Sequence, residues 1–202
     1  MDPYPLLRFA HLLGLMLISA GLVGVFVADM RSRQSLDLKL FAQAVNLIAL
    51  FYDGLVVPGA LLLARSGTWL IVSYYGGWNF LEVPWLAGMV GLFLFEFVEG
   101  NTITRRYFIR LRRLTREALA QGRVTEQLAK ARSEQLASFT HFLDIPILTV
   151  IVSLGAMRPE TWTQFAIAVA LAIAAASVLN YAIPRLYPWT GAKADAGLPR
   201  TA

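Results

Sequence analysis

Five long apolar stretches divide the chain, and charged residues flank each of them. They cover residues 9–28, 40–64, 83–104, 135–157 and 161–184. A helix needs about 20 apolar residues to cross ~30 Å of hydrocarbon, so each stretch predicts a membrane span. The first and last contain no Asp, Glu, Lys or Arg, whereas Asp53 interrupts the second, Glu96 and Glu99 the third, and Asp144 the fourth. The pattern changes over 105–134, where Tyr107, Phe108, Leu111 and Leu114 recur at helical spacing among arginines. That spacing predicts an amphipathic helical extension, broken at Gly122 and restarted by Thr125 as a cap. Residues 66–81 are uncharged and rich in Tyr, Gly and Trp, so they are expected to lie in the membrane interface. Residues 190–202 read as a flexible tail. Residues 1–189 are expected to form a single transmembrane helical domain.

Composition supports a membrane protein and excludes several chemistries. Of 202 residues, 57% are apolar and 15% charged, against about 45–50% and 25% in soluble domains. Mean hydropathy is +0.57. The absence of cysteine removes disulfides, thiolate metal sites, iron–sulfur clusters and cysteine nucleophiles. The net charge of +5 does not require nucleic acid, because the charges follow topology. Fifteen Lys and Arg residues fall on one side of a five-span arrangement and three (Arg8, Arg65 and Arg158) on the other. By the positive-inside rule the N-terminus lies outside and the C-terminus in the cytoplasm. Trp69, Trp78, Trp85 and Trp162 then share the outer interface as an aromatic belt. The N-terminus lacks the basic start of a cleavable signal, so the first span is expected to be retained.

The chemistry lies in the polar residues of the spans. An ionisable group at the centre of a span costs about 2.5–3.5 kcal/mol on insertion scales, so it usually faces the bundle interior and serves a function. Glu96 and Glu99 are spaced i, i+3, as are His141 and Asp144, which puts each pair on one helix face. Counted at 1.5 Å per residue from the inner end, both pairs lie roughly 9–13 Å deep. They are therefore expected to meet as one site, a metal ligand set of three carboxylates and an imidazole. Shared protons or purely structural hydrogen bonds would use the same residues. Asn46 and Asp53 are further intramembrane polar groups and alternative partners for the third span. His11, near the outer face, is a candidate haem ligand. It is too far from His141 along the membrane normal for the two to share one haem. Gly14, Gly21 and Gly24 suggest a close-packing face, and Pro58 and Pro146 suggest kinks.

Residues 6–14 (LLRFAHLLG), 53–59 (DGLVVPG), Trp85-Leu86 and Met157-Arg158-Pro159 resemble an uncharacterised bacterial family of predicted integral membrane proteins. That family is distantly similar to copper-resistance protein D and to HemJ-type protoporphyrinogen oxidase. The resemblance implies an all-α bundle in the bacterial cytoplasmic (inner) membrane and haem b binding at His11 alone. The expectation is a five-helix membrane subunit that is redox-associated and binds haem or a transition metal. The rivals are a cofactor-free structural or assembly subunit and a proton or ion pathway. Its expected partners are the lipid bilayer and another membrane subunit or a second copy, with the basic 105–134 segment contacting anionic lipid or a partner.

Overall fold

The computed structural model describes residues 2–35 and 37–189; the tail expected at 190–202 lies outside them. Five helical rods are long and apolar enough to cross a membrane, and no strand forms among the described residues. Helix α1 (Tyr4–Gln34) starts with prolines at its N-terminus and ends with Arg31 and Arg33 in its last turn. Both features suit a helix, since proline at the first turn forfeits an amide with no partner anyway, and cations complement the C-terminal dipole.

The second rod joins α2 (Leu38–Phe51), a π turn (Tyr52–Val56) and α3 (Val57–Tyr74). The third joins α4 (Pro84–Glu99), a π turn (Gly100–Thr104) and α5 (Arg105–Gln121). At 37 and 38 residues, each is about 55 Å long and outreaches the hydrocarbon. Helix α3 therefore continues past Ala64 through Arg65 to Tyr74, so much of the segment expected to lie in the interface is helical. Gly76 and Gly77, both at positive φ, then turn the chain into a short 3-10 segment, Gly77–Glu82. The first π turn directly precedes Pro58, whose missing amide and ring would otherwise clash with a regular helix.

Gly122, at φ 66°, ends α5, where glycine tolerates the left-handed cap. The Thr125 side chain accepts from the Leu128 amide and starts α6 (Glu126–Arg132). The chain continues as α7 (Gln135–Met157) and α8 (Trp162–Leu186).

Two groups of helices form. Helix α1 packs on α3 so closely that a Cβ on Gly59 would lie 2.9 Å from the Gly14 carbonyl oxygen and the Ile18 nitrogen. A core led by Val25, Phe41, Ile48 and Leu111 joins α1, α2 and α5. A second core, led by Ile147, Leu154 and Ala176, joins α4, α7 and α8. At the end of the bundle that carries the α3–α4 connection a cavity of about 500 Å³ opens between α1/α3 and α4/α7. Toward the other end the groups close, with Phe26 on α1 packed edge-on against Phe142 on α7.

Candidate functional site

The antiparallel contact of α4 and α7 brings Glu96, Glu99 and Asp144 together. One carboxylate oxygen from each lies within 4.8 Å of the others. Glu99 and Asp144 are 6% and 4% exposed, and Glu96 is partly buried. Glu96 Oε1, Glu99 Oε2 and Asp144 Oδ2 receive no hydrogen bond from a donor group among the described residues, and Glu96 and Asp144 are close enough to bond through a shared proton. These orphaned acceptors are the notable feature, since buried polar atoms almost always find a partner.

Backbone geometry sets the position of Glu99. In a regular α-helix, residues i and i+5 point in different directions. The π turn after Glu99 has i→i+5 geometry, and the Thr104 hydroxyl consequently donates to Glu99 Oε1 at 2.8 Å. Thr104 also meets Thr140 of α7 at 3.1 Å. The two π turns face each other. The Tyr52 hydroxyl donates to the Gly100 carbonyl at 2.9 Å, and a Cβ on Gly100 would come within 2.7 Å of that hydroxyl. Pro146 withholds the amide that the Phe142 carbonyl would accept, in the turn that carries His141 and Asp144.

His141 stands beside the carboxylates and outside their cluster. Its Nδ1 lies 3.8 Å from Asp144 Oδ2 and its Nε2 lies 3.8 Å from Asp29 Oδ2. Neither ring nitrogen is hydrogen-bonded. The four residues expected to meet thus lie as three clustered carboxylates with an imidazole between them and a second buried centre. At that centre Asp29 accepts from Arg33 Nε at 2.8 Å and from Arg132 Nη1 at 3.0 Å. All three side chains are under a tenth exposed. The Arg132 guanidinium also lies over the rings of Phe41 and Trp189. Burial opposes its charge, but Asp29 and Tyr107 together more than offset that and hold it above the ordinary arginine value.

In the sequence Asp29 is simply the charge that follows the first apolar stretch, and Arg132 is one of the basic residues of 105–134. The Asp29/Arg33 spacing of i, i+4 was a readable signal, whereas nothing local marked Arg132. Asn46 and Asp53 do not join the cluster, although they were expected as alternative partners for the third span. Both face outward, where Asn46 accepts from Arg112 at 2.9 Å and Asp53 pairs with Arg105 at 2.9 Å. The partners are the arginines of the prolonged third rod.

A cavity of about 190 Å³ adjoins Glu96 and Asp144. Leu15, Leu63, Phe93 and Ile151 line both this space and the larger cavity. His11 lies on the larger cavity, with Nδ1 3.2 Å from the Ser66 hydroxyl.

Five apolar helical rods around a buried ionisable cluster define a polytopic integral membrane protein in contact with the lipid bilayer. The family described as predicted integral membrane protein (DUF2269) matches residues 5–159, and the chain belongs to it. The family description assigns no activity, and the match does not extend to copper-resistance protein D or HemJ-type protoporphyrinogen oxidase. No curated protein and no solved structure matches the chain.

Proposed function

We propose that this protein is a metal-binding membrane subunit whose ion sits among Glu96, Glu99 and Asp144. The convergence of three carboxylate oxygens that receive no hydrogen bond from a donor group carries this reading. Charge balance supports it. With every carboxylate ionised and His141 neutral, the four acids and two arginines of the joined network leave a formal charge of −2. One divalent cation neutralises that charge. A low-dielectric interior does not tolerate it uncompensated. An oxygen-rich donor set with an imidazole at its edge suits manganese, iron or zinc better than copper(I). His141, 3.8 Å from Asp144 Oδ2 without a hydrogen bond to it, would be an outer-shell neighbour of the ion. Iron or manganese at this position would give the subunit a one-electron centre, consistent with a redox-associated role.

The test is metal analysis of protein purified from cells supplied with manganese, iron and zinc. About one divalent ion per chain is expected, falling at least tenfold in Glu99→Gln and in Asp144→Asn. His141→Gln should weaken binding by 10–100-fold, the range for outer-shell changes. Less than about a tenth of an ion per wild-type chain would overturn the reading. Two protons neutralise the same −2, so that result would favour the proton-pathway alternative.

A further inference from the structure

We propose that the larger cavity, at the end of the bundle expected to face outside, is a binding site for a membrane-soluble monocarboxylate of the long-chain fatty acid type. Its head would sit between Arg8 and Arg158, with the chain running inward toward Phe93. This inference is independent of the metal reading.

The cavity holds about 500 Å³, within the range of sites that take drug-sized ligands. Its walls are mostly aliphatic and aromatic, and it closes inward at Leu15, Phe93 and Ile151. Its outer end is different. Arg8 and Arg158 line the same space, and neither makes an ion pair among the described residues. Three acids lie at this end of the bundle: Asp2, which already accepts from the Tyr74 hydroxyl and the Tyr4 amide, and Glu82 and Glu160, neither of which is ion-paired with Arg8 or Arg158. Two unpaired guanidiniums above an apolar slot complement one anionic head on one apolar chain.

The geometry of Arg158 strengthens this assignment. It is the one non-glycine residue at positive φ among the described residues, at 50°, and it occupies the C-cap of α7. Glycine is preferred at a left-handed helix end because a Cβ is strained there. The arginine side chain instead lies over the Trp85 ring at 5.2 Å, and Trp85 also lines the cavity. His11 adds a polar contact part-way down, and Gly155 leaves room opposite Met89, 3.6 Å from a built Cβ.

Trp85 supplies the readout. Purified full-length protein in fatty-acid-free nanodiscs would be titrated with a long-chain fatty acid brominated along its chain, and tryptophan quenching recorded. Saturable quenching that disappears in Trp85→Phe is expected. Binding should be at least tenfold tighter than for the brominated alcohol of equal length. Arg8→Gln with Arg158→Gln should erase that preference. Gly155→Leu should block the slot while leaving both arginines intact. Arg158→Gly relieves the backbone strain, so it should fold at least as well as wild type and still lose affinity.

Equal quenching by the brominated alcohol, or by a brominated phospholipid, would overturn the proposal and leave a cleft filled by bulk lipid. Absence of any Trp85-dependent quenching would overturn it as well.

Discussion

Asp29→Asn tests the buried charge network most directly. Asp29 serves both Arg33 and Arg132, and neither arginine has another carboxylate in ion-pair contact among the described residues. The substitution keeps the shape but leaves two buried guanidiniums without a counter-ion. Breaking a buried pair on one side costs about 3–5 kcal/mol. For a chain of this length that is a fall in Tm of about 6–20 °C. Arg132→Met should be milder, because the Asp29–Arg33 pair survives and the methionine fills the space by Phe41 and Trp189. It loses two hydrogen bonds, to Asp29 and to Ser32, of which the one to the charged partner is worth about 1.5–3 kcal/mol. Combining the two changes should recover part of the Asp29→Asn loss, since one orphaned cation is gone. The assay is thermal unfolding of detergent-purified protein followed by size-exclusion recovery. A Tm fall below about 2 °C for Asp29→Asn, or a double variant whose loss equals the sum of the singles, would refute the argument.

Two further expectations concern packing and topology. Gly59→Ala should lower stability by about 1–3 kcal/mol in the same thermal assay, because its Cβ would press on the backbone of α1 rather than on a movable side chain. Gly54→Ala, where nothing lies within 4 Å of the built Cβ, should be nearly neutral. With no native cysteine, single thiols report sidedness cleanly. A cysteine replacing Gln121 should react with an impermeant maleimide only after the cells are opened, and one replacing Asn79 should react in intact cells. The reverse pattern would invert the proposed orientation.

Much of the architecture is legible in the sequence. Charge-bounded apolar stretches of 20 or more residues leave a chain in lipid little choice but helix, because each backbone amide must be satisfied within its own segment. Local chemistry equally marks Gly122 as a stop, Thr125 as a start, and Glu96/Glu99 and His141/Asp144 as pairs on one face. These signals depend only on neighbours within a turn or two.

Which faces meet was decided by tertiary structure. In water, an apolar stripe shows which side of a helix is buried. Lipid is as apolar as a protein core, so that contrast is lost and helix rotation cannot be read from the pattern. Asn46 and Asp53 therefore looked equivalent to the cluster residues and turned outward to Arg112 and Arg105. Arg132 looked like one more arginine of the basic 105–134 segment, yet it reaches Asp29 across 103 positions of sequence. The Glu99–Thr104 contact exists because a π turn changes the helical phase at that point. Each depends on how whole helices seat against one another, and that seating follows from close glycine contacts and buried charge pairing between segments far apart in the chain.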